Sequence, residues 1–135
     1  MLKLSKSVEY AIFALKYISE ANYETPISTK EISDSMSIPY ELLAKIMQKL
    51  VKYNIIESRQ GTRGGYYLSL PPNKLSLTSI IRAVDRDIQI TDCLFEDATN
   101  KDCKRINDCS IREPLHTVQN KIIKVLNSTT LEELI

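Results

Sequence analysis

The sequence predicts a mainly α fold: a winged helix-turn-helix of three helices plus a β-hairpin wing, followed by a long C-terminal helix suited to dimerisation. Three observations predict it. Two short amphipathic segments, Ser28–Ser37 and Pro39–Tyr53, follow one another with only a turn between them. Two strand-like runs then flank all three glycines of the 135-residue chain. Towards the end, apolar residues recur with alternating gaps of four and three, which is typical of a helix that pairs with another helix.

The first predicted helix is Lys6–Ala21, because apolar residues recur in it at helical spacing. Ser28 and Glu31 fit a capping box, which is typical of a helix start, so a second helix is expected to begin there. Ser37 is expected to cap the third helix, and Pro39 is tolerated in its first turn. The apolar positions expected to face the core are Val8, Ala11, Ile12, Leu15, Ile18, Ile32, Met36, Leu43, Ile46, Met47 and Leu50.

The wing is predicted from two runs rich in β-branched, aromatic and aliphatic residues, Ile55–Arg59 and Tyr66–Leu70. Between them lie Gly61, Gly64 and Gly65. Glycine is placed where the backbone must adopt a positive φ or approach something closely. We therefore expect a tight hairpin that lies close to a ligand. A solvent-exposed hairpin whose basic residues contact nothing is the alternative.

The second half of the chain is predicted to hold one further helix, a loop and the long helix. Ser76–Val84 has a helical apolar stripe, whereas Asp87–Cys109 has weak periodicity and contains all three cysteines. We expect residues 1–73 to form the winged helix-turn-helix region. Residues 74–135 are expected to form the sensor loop and dimerisation helix, within a single compact domain.

The long helix carries a narrow apolar seam formed by Ile111, Leu115, Val118, Ile122 and Val125. The gaps between these residues match the seam of a coiled coil. Gln119, Asn120, Lys121 and Lys124 are interpreted as part of an otherwise polar helix surface. The pattern favours pairing with a second copy of the chain, and packing on its own domain is the alternative.

Charge and composition exclude several classes of protein. The chain has 18 basic and 17 acidic residues, and its longest apolar runs are far shorter than the ~20 residues that a membrane helix needs. The N-terminus has no signal-peptide core, so we expect a cytoplasmic protein without a membrane partner. There is no phosphate-binding glycine motif and no Ser-His-Asp set, so we expect neither an enzyme nor a small-molecule substrate.

A local basic stretch points to double-stranded DNA. Between Leu43 and Gly65 the chain has five basic residues and one acidic residue, which is typical of a phosphate-facing surface. Glu41 can accept from cytosine and Lys45 can donate to guanine. The predicted contacts are Tyr40, Glu41, Lys45, Gln48 and Lys49 on the second helix of the motif, and Arg59, Gln60 and Arg63 on the wing. A winged helix that contacts a protein partner is the alternative.

The run IPYELLAKIMQKLVKYNIIESRQGTRGGYYL, followed by LTSIIRAVD and by Cys93 in a loop, resembles the IscR/NsrR superfamily of winged-helix transcription regulators. So do the opening LSKSVEYAIFAL and the ending TLEEL, so the resemblance covers nearly the whole chain. It implies a homodimer that binds a DNA operator through the winged helices and swaps the long C-terminal helix across the dimer. In cluster-bearing members, three loop cysteines bind an iron–sulfur cluster whose state alters DNA affinity.

The same resemblance implies ligands for a cluster of the 2Fe-2S type. They are Cys93, Cys103 and Cys109, spaced C-x9-C-x5-C. Where IscR-type members place a ligating histidine, this chain has Arg112, which cannot ligate. Resemblance to NsrR-type members implies Glu9 of the partner subunit as the fourth ligand, with His116 as the alternative.

Two other uses of the cysteines stay open. An odd number of cysteines without an export signal argues against a disulfide framework. Lys101, Lys104 and Arg105 lie near Cys103 in the sequence and could make that thiol reactive towards oxidants. Three thiolates with His116 could hold zinc, although the closely spaced C-x2-C pair of many zinc sites is absent.

Overall fold

The computed structural model describes residues 2–21, 25–95 and 97–135. Parts of the predicted connection at residues 22–27 and of the predicted cysteine loop therefore lie outside the described residues. The helices are α1 (Lys6–Glu20), α2 (Thr29–Met36), α3 (Tyr40–Lys52), α4 (Leu77–Val84) and α5 (Arg112–Ser128). The strands are β1 (Ile56–Arg59) and β2 (Gly65–Leu68), and short 3₁₀ turns lie at Pro72–Lys74, Asp92–Leu94 and Leu131–Leu134. The predicted mainly α winged helix is confirmed.

Local hydrogen bonds explain where the helices of the turn motif begin and end. The Ser28 Oγ accepts the backbone N–H of Glu31 at 3.1 Å, which starts α2 as predicted. The prediction that Ser37 caps α3 is wrong. Ser37 instead ends α2 in the left-handed conformation, with φ 55° and ψ 44°, and the N–H of Ile38 closes back on the Ser33 carbonyl. The next helix starts after Pro39 without a side-chain cap.

The core lies between α1, α2, α3 and α4. Nearly all of the apolar positions predicted from helical spacing face it, and Leu15, Ile32, Leu43, Met47, Leu50 and Ile80 are completely buried. Each such side chain contributes about 1.5–3 kcal/mol through the removal of apolar surface from water. This packing holds α3 by one face only and leaves its opposite face free for function. In the described part of the chain, no helix is long and apolar enough to cross a bilayer.

The last helix packs on α4, yet most of its surface faces solvent. Among the residues of α5, all of which the structure describes, only Gln119 is buried. The predicted seam is largely uncovered, with Ile111 59%, Val118 45% and Val125 63% exposed. Leu115 and Ile122 are half-buried, so the chain's own domain covers the seam only in part.

Beyond α5 the chain returns to its own core. Leu131 is completely buried and donates its backbone N–H to the Leu75 carbonyl at 2.8 Å. Two residues earlier, the Thr129 carbonyl accepts the N–H of Leu77, also at 2.8 Å. These bonds fix the end of α5 beside the start of α4.

Candidate functional site

The outer face of α3 presents the side chains that the sequence predicts. The opposite face, formed by Leu43, Ile46, Met47 and Leu50, is buried in the core. Tyr40 is 54% exposed, and Glu41, Lys45, Gln48 and Lys49 are exposed as well. One turn from the helix end, the Lys49 ammonium donates to the Val84 carbonyl of α4 at 3.4 Å. A polar face with free donors and acceptors on a rigid helix is what reading base edges in a DNA groove requires.

The wing carries its charged residues on the face turned away from the core. Glu57 pairs with Tyr67 and Arg59 with Gly65 across the two strands. The Arg59 guanidinium lies over the Tyr67 ring, 5.7 Å from its centroid, and a hydrogen bond with the Glu57 carboxylate raises the pKa of Tyr67 above its ordinary value. Arg59 is therefore held by a neighbour on the wing itself.

The tip of the wing, residues 60–64, is exposed apart from a half-buried Gly64. Gln60 and Arg63 both lie on it. Among the described residues, Arg63 has no ion-pair partner, whereas Arg82 and Lys6 each have one. An exposed guanidinium on a turn at the tip of the wing is available to contact an anion such as a backbone phosphate.

At each of the three wing glycines, the backbone of this chain itself explains why no side chain is present. Gly61 has a φ of +115°, which side chains rarely tolerate. A Cβ on Gly64 would lie 2.5 Å from the Arg59 carbonyl oxygen, and one on Gly65 would lie 2.7 Å from the backbone of Ile27. The expected close approach is therefore real, but at Gly64 and Gly65 it is to the chain's own backbone.

The cysteine loop keeps one thiol inside and two nearer the surface. Cys93 is 6% exposed, and its Sγ lies 3.2 Å from the Thr91 Oγ1. Cys103 and Cys109 are half-buried, and all three thiols are free. Within the described residues, no three His, Cys, Asp or Glu side chains come together in a way that could hold a metal ion. The predicted ligands thus share one loop but are not assembled in this chain.

The two candidates for a fourth ligand lie on different helices. Glu9 is on α1, where its carboxylate pairs with the Lys6 ammonium at 2.9 Å. His116 is exposed on α5 and lines a cavity of about 570 Å³ together with Leu94 and Phe95 of the cysteine loop. Neither joins the cysteines in the described part of the chain. The expected role of Glu9 concerns the partner subunit, so it stays a prediction.

Two residues of α5 hold the first part of the cysteine loop, and sequence reasoning missed both roles. The Arg112 guanidinium donates to the Cys93 carbonyl at 3.2 Å. Gln119, interpreted from the sequence as part of the polar surface, is 5% exposed and accepts the backbone N–H of Ile90 at 2.9 Å. A signal was present, because Gln119 is spaced from Ile123 and Leu126 as an inward-facing residue would be.

The turn after α4 is fixed by an ion pair. The Arg82 guanidinium donates to the Asp87 carboxylate at 2.8 Å, and the same carboxylate oxygen accepts the N–H of Ile88. The hydrogen bond from Arg82 lowers the pKa of Asp87 below its ordinary value. Arg86 lies over the Phe95 ring, 5.3 Å from its centroid. The chain that follows α4 is thus held by the ion pair between Arg82 and Asp87 and by the contact of Arg86 with Phe95.

Known proteins resemble this chain along its whole length. A family model described as Rrf2, iron-dependent transcriptional regulator, matches residues 4–135. A protein of Haemophilus influenzae named as a candidate HTH-type transcriptional regulator is 32% identical over 134 residues, covering 99% of this chain and 87% of its own. The HTH-type transcriptional regulator NsrR of Geobacillus kaustophilus is 26% identical, covering 99% and 90%. The structure of CymR, the global cysteine regulator of B. subtilis, matches with a TM-score of 0.74 and 26% identity, covering 99% and 96%.

Proposed function

The chain belongs to the Rrf2 family of transcriptional regulators, and from that premise we propose that it is a homodimeric operator-binding protein whose DNA affinity is set by an iron–sulfur cluster in its cysteine loop. The observation that carries the DNA-binding part is the exposed polar face of α3 beside a wing whose tip holds Arg63, an arginine with no ion-pair partner among the described residues. The cluster is supported by three free thiols on one loop.

In this proposal α3 lies in a major groove. Glu41 and Lys45, near its N-terminal end, contact base edges, and Tyr40 and Gln48 flank them on the same exposed face. Lys49 lies further along the helix and contacts phosphate, which positions the protein without reading sequence. The wing, with Arg59, Gln60 and Arg63, follows the backbone or the adjacent minor groove, where a narrow groove attracts arginine.

The exposed seam of α5 supports the homodimer. Apolar side chains such as Val118 and Val125 lose contact with water if a second copy covers them, at about 25 cal/mol for each Å² buried. A two-fold pair places two α3 helices on one face, which fits an operator with two inverted half-sites. A dimer would also supply a second α1, whose Glu9 is the proposed ligand from the partner subunit.

The donor chemistry of the loop fits an iron–sulfur cluster. Thiolates of Cys93, Cys103 and Cys109 are the ligands that such clusters use, and the remaining ligand would come from Glu9 of the partner subunit or from His116. When bound, the cluster would supply a redox-active and oxidation-sensitive group. Because the thiols are not assembled in this chain, the loop would close around the cluster and brace the helices beside it. The spacing of the two α3 helices would then depend on that closure.

A cluster-free regulator is the second candidate. It is favoured by the same lack of an assembled ligand group in the described residues and by the likeness to CymR, named a global cysteine regulator. In that case the two half-buried thiols, Cys103 and Cys109, would respond directly to oxidants. Zinc bound by the thiols and His116 is a further form of this candidate.

Purification under anaerobic conditions separates these candidates. We expect a coloured dimer that contains iron and acid-labile sulfide, and that selects a palindromic duplex from a random pool. Cys93→Ser should abolish the iron, whereas Ser110→Ala, a conservative change directly after the same loop, should not. A colourless protein whose operator binding responds to peroxide would favour thiol sensing, and a zinc-containing one the zinc form. A protein that selects no duplex at all would contradict the whole proposal.

A further inference from the structure

The segment between α4 and Cys93 is tied to α5 at two points. Gln119 accepts the N–H of Ile90 at 2.9 Å, and Arg112 donates to the Cys93 carbonyl at 3.2 Å. Arg112 and Gln119 are two helical turns apart, or about 10 Å along the axis. The partners of these two side chains, Ile90 and Cys93, lie three residues apart, with Thr91 extended and the 3₁₀ turn Asp92–Leu94 beginning after it. The segment therefore runs alongside α5 and is fastened to it at both ends of that stretch.

The tie at Gln119 is costly to break because it is buried. The Gln119 side chain is 5% exposed, while its neighbours on α5 face solvent. If Ile90 moved away without α5, the Gln119 amide oxygen would lose the donor that holds it here and would have to be hydrated through the cavity that it lines. Ile90 and α5 are therefore expected to move together.

The same segment starts at the end of α4, which lies beside α3, the helix proposed to contact DNA. The Val84 carbonyl, at the end of α4, accepts from the Lys49 ammonium of α3 at 3.4 Å. Three residues on, Asp87 is held by Arg82 at 2.8 Å. The stretch Val84–Cys93 thus contacts α3 through Val84 and contacts α5 through Ile90 and Cys93.

We propose that Gln119 and Arg112 are the positioning residues that couple the cysteine loop to α5, so that a change of state at Cys93 shifts α5 and, through the dimer, the two α3 helices. Neither residue binds the cluster or DNA in this proposal. The coupling role rests on the proposed regulation by the cysteine loop. The tie itself, meaning the hydrogen bonds of Gln119 with Ile90 and of Arg112 with Cys93, does not rest on that regulation, because both bonds are present in the folded chain.

Amide hydrogen exchange tests the tie. Gln119→Met keeps the length of the side chain and removes the acceptor, so the N–H of Ile90 should exchange at least about ten times faster than in the wild type, as expected when a bond worth ~1.4 kcal/mol is lost. Asn127→Met, an exposed position on the same helix, should leave that rate unchanged. An unchanged Ile90 rate in Gln119→Met would overturn the tie.

Operator binding tests the coupling. We expect the wild-type dissociation constants with and without the cluster to differ by roughly 5- to 150-fold, the usual range for coupled sites. In Gln119→Met that ratio should fall to within about twofold at unchanged iron content, whereas a merely structural role would weaken both states equally. Arg112→Met, at an exposed position where folding is not at risk, should lower the ratio in the same direction.

The outcomes separate the two proposals. Variants that keep the wild-type ratio would overturn the coupling while leaving cluster regulation intact. A wild-type ratio of one would overturn cluster regulation and the coupling together, and the exchange rate of Ile90 would still decide the tie. If Gln119→Met does not fold, Arg112→Met alone decides the coupling.

Discussion

Tyr66 and Ile27 exchange two backbone hydrogen bonds, of 2.8 Å and 2.9 Å, which fasten the second strand of the wing to the chain just before α2. The base of the wing is thereby fixed to the helical core, while its tip at residues 60–64 projects beyond the two strands. Gly65 lies at this junction, with no room for a side chain. The wing is a fixed part of the reading surface and not a free loop.

Replacing Gly65 by alanine should loosen this junction. The new Cβ would lie 2.7 Å from backbone atoms of Ile27, which cannot move aside as a flexible side chain would. We expect the free energy of unfolding to fall by about 1–3 kcal/mol and operator binding to weaken. Urea unfolding followed by circular dichroism measures the first effect. Thr62→Ala, on the exposed tip, should change stability little, and a Gly65→Ala protein as stable as the wild type would contradict the packing described.

The terminal turn offers a matched pair of leucines. Leu131 is completely buried and Leu134 is 39% exposed, although both lie in the 3₁₀ turn Leu131–Leu134. Leu131→Ala should lower the free energy of unfolding by about 2–5 kcal/mol, because it leaves a cavity in the core. Leu134→Ala should cost much less, since part of its surface is already in water. Equal losses in urea unfolding would show that the turn does not anchor the end of α5.

Arg63 should contribute to DNA affinity through charge alone. If it neutralises one phosphate, Arg63→Ala weakens operator binding and reduces the slope of log K against log salt concentration by about one. Fluorescence anisotropy at several salt concentrations measures the slope. Lys124→Ala removes the same charge from an exposed position on α5 and should leave the slope unchanged. Equal slopes for Arg63→Ala and the wild type would remove Arg63 from the interface.

The seam of α5 should hold the dimer together. Val118 is 45% exposed in the single chain, and Val118→Glu would place a charge where a second copy is proposed to cover it, which is costly unless the charge is paired. We expect sedimentation to show mainly monomer, with much weaker operator binding. Asn127→Glu, at an exposed position off the seam, should remain dimeric. A dimeric Val118→Glu protein would mean that the partner is bound elsewhere.

The sequence predicts the helices and the core well, because helical spacing records which face of each helix is buried. It fails where a contact joins distant parts of the chain. Ser37 is a good cap residue, yet the need to close α2 places it in the left-handed conformation instead. Gly65 signals a close approach, but only the fold shows that Ile27 is what it approaches.

The sequence likewise predicts one part of the candidate site and not the other. The exposed residues of α3 follow directly from the pattern that buries its other face. The cysteine loop has no such pattern, and Glu9, one of the two candidates for its fourth ligand, would come from a second chain, so residue spacing cannot assemble the site. Gln119 is polar, so its residue type predicts a surface position, and composition alone does not reveal that its amide has a buried backbone partner.

The most direct measurement compares one operator duplex, at matched salt, with the cluster-bound dimer and with the same dimer after anaerobic removal of its iron. If the cysteine loop sets DNA affinity through a cluster, the two dissociation constants differ by at least about fivefold. Superimposable binding curves for the two forms would contradict cluster control of this regulator.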